Sequence, residues 1–192
     1  KEKKDFGKNL YRIKMTRKAI IFGIQGHKLT INEKLLFRKN KPWGIILFSR
    51  NIKNIFQLKN LIDDIKDFFN DKKYPILIDQ EGGRINRLSK FIDTSKFTGE
   101  FFGNLYKNNF KKFVTYYKIY IIQTCYLMHI LGVNINTVPV LDVRHKKSHN
   151  IIGDRAFNTN PKIVSKIGDF CIKEFHKNNI GTVVKHIPGQ GL

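Results

Sequence analysis

Short apolar runs alternate with stretches of helical periodicity along this chain, and the alternation repeats about five times. Lys18–Ile24 (KAIIFGI), Gly44–Phe48 (GIILF), Tyr74–Asp79 (YPILID), Val133–Val138 (VNINTV) and Thr182–Lys185 (TVVK) read as strands. They are continuous apolar runs, the pattern of parallel strands covered on both faces. Between them, Thr30-Ile-Asn-Glu33 has the spacing of a capping box and opens a short helix to about Asn40. Ile55, Leu58, Leu61, Ile62, Ile65, Phe68 and Phe69 recur at the spacing of one helical face between Asn54 and Asn70. Lys107–Leu131 reads as one long helix, with Phe110, Phe113, Tyr117, Ile121, Cys125, Met128 and Leu131 inward. Asn160-Pro161 starts a further helix, Asn as cap and Pro at the first helical position. It runs to about Asn178 with Ile163, Ile167, Phe170 and Phe175 inward, and Gly181 ends the turn after it.

Such an order predicts an α/β fold with a parallel sheet. A doubly wound open sheet and a (β/α)8 TIM-type barrel both fit. No G-x-G-x-x-G follows the first strand, which weakens the dinucleotide-binding version of the former. A whole barrel takes about 250 residues, so a 192-residue chain holds its first five β/α units. Residues 1–17 read as a basic tail or upstream extension, and 18–192 as the incomplete barrel domain.

Composition narrows the class. Apolar residues make up 41% and charged residues 27%, which excludes a disordered chain and a coiled coil. Lys and Arg number 36 against 15 Asp and Glu, a net charge of +21. The lysines are scattered through nearly every segment, and alanine occurs only at Ala19 and Ala156, the mark of an AT-rich coding sequence. The charge therefore reads as a solvated surface rather than a nucleic-acid face, although a basic nucleic-acid-binding protein stays open as a minor reading. Polar residues interrupt the longest charge-free stretch, Ile119–Leu141, so no membrane span or membrane partner is expected. Lys1–Lys14 lacks an apolar core, so no secretory signal is expected either. Cys125 and Cys171 form no CxxC pair and read as packing residues in a reducing compartment, the cytoplasm.

In both architectures ligands meet the carboxyl ends of the strands, and there this chain gathers its charge. Ser49-Arg50-Asn51 follows the second strand, and Asp79-Gln80-Glu81-Gly82-Gly83-Arg84 and Arg87 follow the third. Pro139, Asp142 and Gly153-Asp154-Arg155 come after the fourth, and Lys185-His186 and Pro188-Gly189-Gln190-Gly191 at the fifth. A buried aspartate accepting two hydroxyls beside Arg and Lys donors suits a polyhydroxylated ligand. A sugar or phosphate site and a purely structural ring of salt bridges are equally open on these residues alone. Glu81 offers itself as a general acid, and Arg155 as a surface partner of Asp154 or Asp142. Asp142, His145, His149 and Asp154 are conceivable metal ligands. Both histidines lie in a Lys-rich loop, however, and no metal or cofactor is expected.

Five segments together resemble a known family. Lys41-Pro-Trp-Gly-Ile-Ile-Leu-Phe-Ser-Arg-Asn51, Asp79-Gln-Glu-Gly-Gly-Arg84 with Arg87, Pro139-Val-Leu-Asp142, Ile152-Gly-Asp-Arg155 and Lys185-His-Ile-Pro-Gly-Gln-Gly191 are similar, in this order, to bacterial β-N-acetylhexosaminidases of glycoside hydrolase family 3. The resemblance covers Ala19 to Leu192. It implies a (β/α)8-type barrel, monomeric at full length, that removes terminal β-linked N-acetylglucosamine with retention, typically from peptidoglycan fragments during cytoplasmic cell-wall recycling. It makes Asp79, Arg87, Arg155, Lys185 and His186 the contacts to the N-acetylglucosamine, and Glu81 and Arg84 the supports of the loop, which argues against Glu81 as the acid. The family's acid/base histidine, assisted by an aspartate on a mobile loop, and its nucleophilic aspartate are then expected beyond Leu192. That pairing differs from the usual two carboxylates of glycoside hydrolysis. This chain departs from the pattern at Ile187 and at Gln190, where the family usually has Phe and His. Glutamine can hydrogen bond there but cannot titrate near neutral pH. A noncatalytic sugar-binding relic is the alternative.

Overall fold

The structure, a computed structural model, describes residues 17–145 and 149–190. The expected tail falls almost wholly on residues 1–16 and lies outside the described residues. Five strands form one parallel sheet in sequential order: β1 (Lys18–Gly23), β2 (Pro42–Leu47), β3 (Ile76–Ile78), β6 (Ile135–Asn136) and β7 (Gly181–Thr182). A doubly wound sheet reverses its strand order at a switch point. Here every crossover steps the same way round, as in a barrel. Between β3 and β6 a two-stranded antiparallel hairpin, β4 (Gln80–Gly82) and β5 (Ile85–Asn86), rises from the sheet's carboxyl end, its turn made by Gly82 and Gly83 at φ 97° and 55°.

The helices begin where local chemistry places them. Thr30 and Glu33 close both bonds of the capping box on α1 (Ile31–Asn40). Asn54 caps α2 (Ile55–Phe68), which buries Leu58, Leu61, Ile62 and Ile65. Asn160 caps α5 (Pro161–Lys177), whose buried face is Val164, Ile167, Gly168, Cys171, Glu174 and Phe175; Ile163 and Phe170 lie at its margin. Cys125 and Cys171 are free, buried thiols, and burial pushes both up to about 12.

Three expectations need correction. The long helix starts at Phe110 rather than Lys107: α4 (Phe110–Leu131) is preceded by a separate helix, α3 (Gly99–Asn108). The two meet at Asn109, whose backbone N–H bonds to Leu105 O while its side chain accepts from Lys112 N; Phe110 is 59% exposed rather than inward. The fourth and fifth strands are shorter than the apolar runs, because only Ile135–Asn136 and Gly181–Thr182 pair in register; Lys185 adds a single bridge to Val140. β1 is not covered on both faces. As an edge strand it leaves Ile20 and Ile21 41% and 43% exposed, beside Trp43 at 41%. β2 and β3, flanked on both sides, bury Ile45, Leu47, Ile76, Leu77 and Ile78.

Helix α3 matters because of what rests on it. Gly99 and Gly103, one turn apart, let the backbone of Arg155–Phe157 lie directly on the helix. A Cβ at Gly103 would stand 1.6 Å from Phe157 O, and one at Gly99 2.1 Å from Arg155 O. Both obstacles are backbone and cannot rotate away. Gly103→Ala is therefore expected to cost about 2–3 kcal/mol through overpacking, read as a lower urea midpoint at unchanged m-value. An unshifted midpoint would refute this close packing.

Candidate functional site

At the carboxyl end of the sheet, five of the seven residues singled out in the sequence form one connected chain of charges. Asp79 follows β3 directly, and the backbone of the next residue, Gln80, is held by Asn136. The Asn136 amide spans Gln80, giving Nδ2 to Gln80 O at 3.0 Å and taking Gln80 N at 3.0 Å, so the β3–β6 ladder continues past the end of the strands. Asp79 Oδ1 accepts from Lys185 Nζ at 2.8 Å and from the Thr137 hydroxyl, while Oδ2 has only Arg87 Nη2 at 3.4 Å. Lys185 also donates to Thr137 Oγ1 at 3.2 Å and forms an ion pair with Glu81 Oε1 at 2.6 Å. Glu81 grips Arg155 in a two-pronged bond, Nε to Oε2 at 2.8 Å and Nη2 to Oε1 at 2.9 Å.

The order along this chain is Arg87–Asp79–Lys185–Glu81–Arg155, three cations alternating with two carboxylates. Its central members are well covered: the side chains of Glu81, Arg155 and Lys185 are 7%, 9% and 13% exposed. Burial works against the charge on Asp79, but the Lys185 ammonium, the Thr137 hydroxyl and Arg87 outweigh it and hold the carboxyl below the ordinary aspartate range. Burial likewise opposes the charge on Arg155, and Glu81 overcomes it, leaving the guanidinium above its usual value. Arg87 is the least engaged cation. Its Nε is buried with no hydrogen-bond partner among the described residues, and its guanidinium lies 5.6 Å from the centre of the Phe48 ring.

The other two predicted residues stand apart from this chain. Arg84 reaches the loop before Arg155, giving Nη2 to Asn150 O, Ile151 O and Ile152 O at 2.7–3.0 Å and Nε to Asp154 at 3.1 Å. The β4–β5 hairpin is thereby tied to the segment that carries Arg155. His186 joins no member of the network; its Nδ1 meets Asp142 Oδ2 at 2.6 Å. The Val138–Pro139, Lys185–His186 and Ile187–Pro188 peptides are cis.

Arg155 pairs with Glu81 rather than with Asp154 or Asp142, because the close packing of 155–157 on α3 aims it inward, and Asp154 is taken by Arg84. Asp142 serves His186, and among the described residues no group of three or more His, Cys, Asp or Glu side chains is placed to hold a metal ion. Sequence reading did not single out Thr137, Asn136 or Phe48. The only signal for the first two was their place at the end of an apolar run, the usual origin of rim residues in barrels.

Residues 10–192 match the family model described as the glycosyl hydrolase family 3 N terminal domain. The chain belongs to glycosyl hydrolase family 3. Within this family it is 28% identical over 177 residues to a beta-hexosaminidase of Thioalkalivibrio sulfidiphilus, a match covering 92% of this chain and 50% of that protein. It is 33% identical over 152 residues to a beta-hexosaminidase of Hydrogenovibrio crunogenus, covering 77% of this chain and 41% of the relative. Among solved structures it is similar to NagZ from Neisseria gonorrhoeae in complex with N-trifluoroacetyl-D-glucosamine, with a TM-score of 0.81 and 28% identity, covering 92% of this chain and 51% of that one. The chain spans about half the length of the curated relatives it matches. As a family 3 domain it has the (β/α)-type barrel fold, and the five strands of its parallel sheet make a partial barrel that does not close among the described residues.

Proposed function

We propose that the protein to which this chain belongs is a retaining β-N-acetylhexosaminidase, and that the rim described above binds the terminal N-acetylglucosamine of its substrate. Residues 18–192 supply the sugar-binding part of one catalytic barrel domain. Asp79 Oδ2 accepts a sugar hydroxyl, and the Arg87 guanidinium, its side chain 26% exposed, donates to another. Lys185 pairs with both carboxylates and exchanges its long bond to Thr137 for a bond to the ligand. Arg155 and His186 complete the contacts, while Glu81 and Arg84 support them. Each charge-assisted bond contributes about 1.5–3 kcal/mol. The nucleophile and the acid/base are assigned to residues outside 1–192, because every carboxylate of the network here is committed to a cation.

The observation that carries this reading is the buried Arg87–Asp79–Lys185–Glu81–Arg155 chain at the strand ends of a family 3 domain. The finer assignment, to peptidoglycan turnover fragments acted on in the cytoplasm by a monomer, extends the family resemblance carried by the five ordered rim segments. The test is release of 4-methylumbelliferone from its β-N-acetylglucosaminide by the whole protein, with titration of N-acetylglucosamine in a calorimeter. Turnover with a preference for the N-acetylglucosaminide over the β-glucoside supports the reading. Sugar binding without turnover points to a noncatalytic relic. Oligonucleotide binding with a steep salt dependence and no sugar binding would sink both.

A further inference from the structure

Asp142 lies outside the charge network, yet it is among the most buried carboxylates described, its side chain 3% exposed. Among the described residues no lysine or arginine forms an ion pair with it. It follows the isolated bridge at Val140, and both oxygens look toward the segment after β7. Oδ2 accepts from His186 Nδ1 at 2.6 Å and from His186 N at 3.2 Å; Oδ1 accepts from Gln190 N at 2.7 Å. One carboxylate therefore clasps the first and last residues of the His186–Gln190 turn and orients the imidazole as well.

Both oxygens of Asp142 already accept from backbone N–H groups, so the carboxylate faces the ring as an acceptor and His186 Nδ1 carries the hydrogen in this bond. In the neutral ring that leaves the lone pair on Nε2. The ring is 28% exposed and follows directly on Lys185, whose ammonium sits in the network. We propose that Asp142 is a positioning residue: it locks the His186–Gln190 turn and sets His186 in the Nδ1–H tautomer, so that Nε2 accepts a hydroxyl of the bound sugar. The sugar part of this assignment rests on the function proposed above; the tautomer and the clasp do not.

Asparagine is the discriminating substitution. It has one acceptor oxygen where the turn needs acceptors on both sides. Its NH2 must face either Gln190 N or the histidine, and in the second case Nδ1 becomes the acceptor and the ring proton moves to Nε2. In protein labelled with 15N-histidine, the wild-type His186 signals are expected to show a protonated Nδ1 and a bare Nε2, and Asp142→Asn to shift toward the opposite tautomer. N-acetylglucosamine affinity is expected to fall about 10- to 100-fold in Asp142→Asn. In a His186→Ala background the same change should cost much less, since the two residues act as one unit.

A wild-type His186 with its proton on Nε2 overturns the proposal, whether or not any variant folds. So do full additivity of the two substitutions and unchanged affinity in a folded Asp142→Asn. If the tautomer follows Asp142 but wild-type protein binds no N-acetylglucosamine, the clasp stands and the sugar reading fails.

Discussion

Glu81→Ala is expected to lower stability by about 3–5 kcal/mol, the usual cost of removing one partner from a buried ion pair. The residue serves two cations at once. Without it Arg155 keeps only its bond to the Ile151 carbonyl at 3.1 Å, and Lys185 keeps Asp79 and Thr137. The side chains left behind are 9% and 13% exposed, too covered for water to replace the lost carboxylate. Against the 5–15 kcal/mol typical of a folded domain, a loss of about 3–5 kcal/mol is roughly a fifth or more of the whole. Urea titration of wild type, Glu81→Ala and Glu81→Gln checks it. The glutamine keeps the shape and an acceptor but not the charge, so it should fall between the other two. A loss below about 1 kcal/mol in Glu81→Ala would place these charges in contact with solvent, as ordinary surface pairs are.

The second large effect is on the ligand. Asp79→Asn is expected to weaken N-acetylglucosamine binding about 100-fold or more. It removes the only network carboxylate oxygen without a close cation, and it leaves Lys185 and Arg87 short of countercharge. The same side chain marks the acid limb of stability. Its folded carboxyl lies below the ordinary aspartate value of about 3.9, so its contribution is complete above that pH and is lost as pH falls through the folded value. Between pH 5 and 2 the wild-type unfolding midpoint should therefore fall more steeply than that of Asp79→Asn. Calorimetry at neutral pH and chemical denaturation across the acid range measure the two effects separately. Sugar affinity within threefold of wild type would remove Asp79 from the site.

How much of this was legible along the chain depended on the range of the interaction. Thr30 with Glu33, Asn54, and Asn160 before Pro161 signal helix starts because the cap and the N–H it satisfies lie within three residues. The break at Asn109 was hidden because apolar residues keep helical spacing on either side of it. Helix α3 was missed where Gly99 and Gly103 make its start look like a loop, although those glycines are what allow the 155–157 backbone to rest there.

The sequence by itself determined the order of the five parallel strands and of the helices α1, α2, α4 and α5, and which residues stand at the strand ends, since these follow from periodicity and from where each apolar run stops. It did not determine who pairs with whom at that rim. Arg155 has Asp154 beside it in the chain but binds Glu81, 74 residues away, and His186 binds Asp142 across 44. Strand curvature brings the rim residues together, and burial then decides among them. In low dielectric a charge takes the partner that it can reach with good geometry away from water, and only the folded sheet defines that partner.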